Sequence, residues 1–191
     1  MLIQATITGT TPLLMNRFTE EAERKVSSGT SAVSIGTKGT PREQADPKVY
    51  RDDKGGLYIP GPNLFAALIA AGTFHKVGKS KVTTTKTSLV PAGLAVEEIA
   101  LPLGTKEFEV DSRSVVIPST GGRVMCHRPR LDQWHVSFTL SVDTDIFSPQ
   151  FVRLLVDDAG KKIGLGDFRP ARKGPFGRFV VTKWQETKEK K

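Results

Sequence analysis

A chain of 191 residues, 38% apolar and 25% charged, carries enough hydrophobic side chain for one core, which excludes wholesale disorder. Its 28 Lys and Arg face 20 Asp and Glu, a formal charge of +8, and ten of those cations fall with only three acids in residues 161–191. Such clustering points to a polyanionic partner rather than an evenly solubilised surface. The single cysteine, Cys126, excludes an intrachain disulfide, MLIQATITGT lacks the n-region and apolar run of a signal peptide, and LFAALIAAG is far short of the roughly 20 residues that cross a bilayer. A cytoplasmic protein without membrane contact is expected.

In chain order, LIQATITG (residues 2–9) reads as a half-buried strand, broken by Thr10, Thr11 and Pro12. After LLMNRF, Thr19 with Glu20, Glu21 and Glu23 marks a capped, short helix. Residues 27–45, rich in Ser, Thr and Gly, predict a mobile insertion. KVYRDDKGGLYIP then predicts a hairpin turning at Asp53 to Gly56, and GPNLFAALIAAG a helix with Pro62 at its start, Leu64, Leu68 and Ala71 on one face, and Gly72 at its end. Residues 73–88 hold four lysines and no acid, an exposed basic loop; most of residues 94–142 reads as sheet. Ser148 caps a helix over PQFVRLLVDDAGKKIG, FGRFVVTKW returns as the last strand, and QETKEKK reads as a frayed end. The order predicts an α+β fold compatible with a ferredoxin-like, RRM-type βαββαβ core in one domain, residues 1–184, with the long insertion, extra hairpins and a disordered tail at 185–191; an unrelated α+β sandwich is the alternative.

Two stretches carry a resemblance together: KVYRDDKGGLYIPGPNLFAAL, in which Tyr58, Ile59, Pro60 and Gly61 feed the first long helix, and IGLGDFRPARKGPFGRFVV, with closely spaced Gly164, Gly166, Gly174 and Gly177 among basic residues. They resemble the CRISPR-associated RAMP superfamily, in the branch of backbone subunits that coat the guide RNA, and ITGTTPLL is similar to the first strand of those subunits and its following loop. Pro62, Asn63, Pro170 and Pro175 depart from the family pattern. LLMNRF, GDFRP and GPFGRF also resemble small bacterial and phage proteins, so a stand-alone relative fits as well. The resemblance implies coating of single-stranded RNA by side-by-side copies. It also draws attention to Asp46, since some such subunits cleave RNA through an Asp before the hairpin; here the residue is displaced by one position, and Pro47 after it favours a plain turn.

The chemistry of the glycine-rich loop has its own rationale. Glycines let backbone N–H groups converge on a phosphate, Arg169, Arg172, Lys173 and Arg178 add charge-assisted bonds, and Phe168 and Phe176 offer rings to bases; the bland alternative is a helix-to-strand connection. Lys76, Lys79, Lys81 and Lys86, beside Phe74 and His75, form a second basic group, and Arg123, His127, Arg128 and Arg130 a third. Gly78, Lys79 and Ser80 do not make a P-loop, because five residues rather than four separate Gly72 from Gly78 and a helix precedes them. Cys126 with His75, His127 and His135 has no metal-ligand spacing, and no nucleophile motif occurs, so no metal, cofactor or catalysis is expected. The expected function is single-strand binding, RNA before DNA, with self-association. The alternatives are an Asp46-dependent ribonuclease and a structural or adaptor protein of a phage or mobile element.

Overall fold

Side-chain alternation sets the first strand. In β1 (Leu2–Gly9), Ile3, Ala5 and Ile7 are buried and Gln4 is exposed, the period-two pattern of a strand with one wet face. The computed structural model describes residues 1–29, 39–117 and 120–187. After β2 (Leu13–Leu14), Thr19 caps α1 (Glu20–Ser27) by accepting from the Ala22 N–H at 3.2 Å. This helix buries none of its residues.

Most of the expected mobile insertion, residues 30–38, lies outside the described residues, but its last part is helical. α2 (Pro41–Ala45) forms because Thr40 and Glu43 close a capping box: the Thr40 hydroxyl accepts from the Glu43 N–H at 3.3 Å and the Glu43 carboxylate from the Thr40 N–H at 2.7 Å. The Thr40 N–H first, and then the Thr40 hydroxyl donating to the same carboxylate at 3.0 Å, hold the Glu43 carboxyl below its ordinary pKa. Ala45 is fully buried, so the loop expectation is corrected here.

The hairpin turn closes through the Asp52 N–H on Gly56 O at 2.9 Å, and leads through β3 (Tyr58–Pro60) into α3 (Gly61–Ala71). A Cβ at Gly61 would sit 1.9 Å from Glu98 O, so glycine is what allows this approach. α3 buries Leu64 and Leu68 completely, each contributing roughly 2 kcal/mol. The basic segment is not a plain loop: β4 (Lys76–Val77) and β5 (Ser80–Lys81) pair as a small exposed hairpin. There follow α4 (Val90–Gly93), β6 (Leu94–Val96), β7 (Ala100–Pro102), β8 (Glu109–Val116), β9 (Arg123–Leu131) and β10 (His135–Val142).

Ser148 caps α5 (Pro149–Asp158) as expected, by accepting from the Phe151 N–H at 3.2 Å. The α-helix stops at Asp158, and Ala159–Ile163 widen into a π turn before Gly164. β11 (Phe179–Thr187) closes the chain. It overruns the expected boundary at 184: Gln185, Glu186 and Thr187 pair with Gln4, Ile3 and Leu2, so these three belong to the sheet rather than to a frayed tail. Residues 188–191 lie outside the described set.

The main sheet has the order β11-β1-β10-β6, with every neighbour antiparallel. In chain order α3 lies between its first two strands and α5 between its last two. Ile3, Ala5, Ile7, Val136, Phe138 and Leu140 form its inner face and share one core with Leu64, Leu68, Val152 and Leu155 of the helices. The opposite face is polar, with Gln4, Thr6, Ser137 and Lys183, and the Thr6 and Ser137 hydroxyls lie 2.9 Å apart. β8 and β9 form a separate ribbon with β2 on its edge. No helix of the described residues is long and apolar enough to cross a membrane.

Candidate nucleic-acid interface

The glycine-rich loop is stitched onto the segment that follows β1. The Gly177 N–H donates to Pro12 O at 2.8 Å, the Asp167 N–H to Leu14 O at 2.8 Å, and the Thr10 N–H to Arg178 O at 2.8 Å. The loop closes on itself through the Leu165 N–H on Gly177 O at 2.9 Å, with Leu165 buried beneath it. Two stretches some 150 to 170 residues apart in the chain thus become one surface.

This stitching corrects the expected role of the glycines. The N–H groups of Gly164, Gly174 and Gly177 already serve Ala159 O, Arg169 O and Pro12 O, so they do not converge on an outside phosphate. What glycine supplies is room: a Cβ at Gly166 would lie 2.3 Å from Leu14 O, and one at Gly177, where φ is +70°, 1.8 Å from Leu165 O. The expectation for Phe176 also fails. Its ring is 6% exposed, near Phe168 with centroids 6.0 Å apart and under the Arg113 guanidinium at 4.7 Å, so it fills space instead of meeting bases.

The charges of the loop are presented outward. Arg172, Lys173 and Arg178 are exposed and form no ion pair among the described residues; Arg178 also donates from Nη1 to Lys161 O. Arg169 is half-buried and donates from Nη1 to Gly166 O at 2.8 Å. Burial, and then the nearby Arg172 charge, lower its pKa against the opposing effect of Asp167, and a guanidinium so placed stays charged and favours an anion beside it. Asp167 does not neutralise the loop. Its carboxylate accepts from Arg128 Nε at 2.6 Å and from Asn16 Nδ2 at 3.3 Å.

The other expected groups divide. Arg128 is 11% exposed and bound to Asp167, so it positions the loop rather than standing open; Arg130 is engaged by Asp132 at 2.5 Å on another side, in a groove with Trp134 and Phe108. Lys76, Lys79, Lys81 and Lys86 are exposed. Their hairpin stands by the end of α5, where the Phe74 ring lies 4.5 Å from Lys162 Nζ. His75 Nε2 is 3.0 Å from Asp158 Oδ2, close but not aligned for a hydrogen bond. His127 is 9% exposed, and its Nδ1 meets the Ser112 hydroxyl at 2.7 Å. Asp46 is held by Arg51 Nη2 at 3.1 Å.

The structure adds residues that the sequence reading passed over. Asn16, Arg17 and Phe18 leave β2 exposed beside the loop, with Phe18 58% accessible. An exposed ring next to an arginine is what single-strand binders use, and the adjacent pair in LLMNRF was the available signal. Asn63, Tyr50, Tyr58 and Arg169 line a cavity of about 260 Å³ between α3 and the loop.

No protein-family model matches the chain, and no curated protein matches it. Among solved structures, it aligns over 96% of its length with a chain in a cryo-EM structure of the Type III-B Cmr-beta bound to cognate target RNA, at TM-score 0.52 and 13% identity. At that identity the likeness is one of fold. The chain spans 59% of the length of the chain it matches.

Proposed function

We propose that this protein binds single-stranded nucleic acid, RNA before DNA, as a RAMP-like protein on a ferredoxin-like core, with copies assembling side by side on the strand. The observation that carries the reading is the outward presentation of Arg172, Lys173 and Arg178, none of them ion-paired among the described residues, beside the half-buried Arg169, on a loop anchored by backbone bonds and by the Arg128–Asp167 pair. Phosphates are the partners such a surface suits. The fold shared with a chain from an RNA-bound Cmr-beta supports RNA as the first strand to test.

Binding without cleavage is part of the proposal: the Asp46 carboxylate is engaged by Arg51. The decisive experiment measures affinity for a labelled single strand against salt. Each lost phosphate contact lowers the log–log slope by roughly 0.7, so Arg169→Ala, Arg172→Ala, Lys173→Ala together should flatten it by about two. The fold should survive. A wild-type slope in the folded variant refutes the site, and strand cleaved in the presence of Mg²⁺ by wild type but not by Asp46→Ala refutes the non-enzymatic reading.

A further inference from the structure

The cavity between α3 and the glycine-rich loop, at about 260 Å³, falls just under the roughly 300 Å³ at which pockets for drug-sized ligands begin. It suits one small planar group rather than a run of nucleotides. The α3 side is shallow because Ala66 and Ala70 present only methyl groups, and the hairpin side carries Tyr50 and Tyr58, ring centroids 5.7 Å apart and tilted by 49°. Part of the polar lining is unengaged. Neither tyrosine hydroxyl nor the Asn63 amide makes a hydrogen bond with a described residue, whereas the Asp167 carboxylate is taken by Arg128 and Asn16. Arg169, also in the lining, has no carboxylate within ion-pair distance among the described residues.

Each part matches a part of one nucleotide. An aromatic face and methyl groups accept the flat surface of a base, an amide with free donors and acceptor suits its edge, and a cation at the same site suits the attached phosphate. We propose that this cavity receives a single unstacked base of the bound strand, with its phosphate toward Arg169. The proposal rests on the single-strand reading and deepens it: the exposed charges hold the backbone at every nucleotide, and the cavity singles out one.

The test uses the full chain and two RNA oligomers of equal length, one natural and one abasic throughout, followed by fluorescence anisotropy across a salt series. Wild type should prefer the natural strand by about tenfold, the size of one stacking contact. Ala66→Leu fills the cavity from an exposed helix position, and Tyr58→Leu removes a ring while keeping apolar bulk. Either should weaken the natural strand by about tenfold, leave the abasic strand unaffected, and leave the salt slope unchanged, because no phosphate contact is lost. Equal wild-type affinity for the two strands overturns the base pocket even if neither variant folds. So does a folded variant that binds the natural strand like wild type, or that loses both strands equally; in each case salt-dependent strand binding stands. Absence of salt-dependent binding by wild type overturns both readings.

Discussion

Gly177 and Gly78 both take positive φ, +70° and +59°, yet a Cβ at the first would lie 1.8 Å from Leu165 O while one at the second meets open space. Backbone strain of about 1 kcal/mol accompanies either alanine substitution, but at Gly177 the loop must also move off its own backbone bond with Leu165. Gly177→Ala should therefore cost about 2–4 kcal/mol and Gly78→Ala about 1 kcal/mol. Thermal unfolding of the two variants decides it, and equal shifts in Tm would show that the loop is not packed as described. At this scale the sequence was a partial guide. Closely spaced glycines marked the loop correctly, but the N–H groups of Gly164, Gly174 and Gly177 proved to be spent on Ala159, Arg169 and Pro12.

Elements show a different limit. α2 was hidden by the composition around it, although Thr40-Pro-Arg-Glu43 spells a capping box with proline in the first turn. The last strand was legible from Phe179 to Trp184, whereas Gln185, Glu186 and Thr187 look polar enough to fray and are held only because β1 lies beside them. Their side chains are exposed, so what holds them is the backbone ladder. Deleting residues from 185 onward should speed hydrogen exchange at amides among residues 2–4 while leaving those of residues 6–8, paired with Lys183, Val181 and Val180, protected. An unchanged pattern at residues 2–4 would sink this account of the edge.

At the scale of the whole molecule, the four-stranded sheet turns one face to α3 and α5 and leaves the other polar. RRM proteins stack bases on aromatic residues of that open face. Here Gln4, Thr6, Ser137, Thr139 and Lys183 occupy it, and the nearest large ring on β11, Trp184, packs toward the core with Arg153 over it at 5.4 Å. The proposed strand contact accordingly lies at the loop and α3, not on the sheet. A triple Gln4→Ala, Ser137→Ala, Thr139→Ala variant should bind a single strand as wild type does; loss of affinity in that folded variant would move the interface to the sheet.

The sequence by itself determined which residues would be strand and which helix in the core, since alternation in β1 and β10 and helical spacing in α3 and α5 are properties of neighbours along the chain. It also placed the basic excess near the carboxyl end. Only the tertiary structure decided which of the chain's cations stand open. Arg128 meets Asp167 across 39 residues, and the Arg178 N–H meets the Thr11 hydroxyl across 167. Partners so far apart in the chain leave no local pattern. Folding of distant segments likewise buries Phe176, takes the Gly177 N–H to Pro12 O, and sets the cavity beside Tyr58, because burial and hydrogen-bond supply are settled by what folds against a segment.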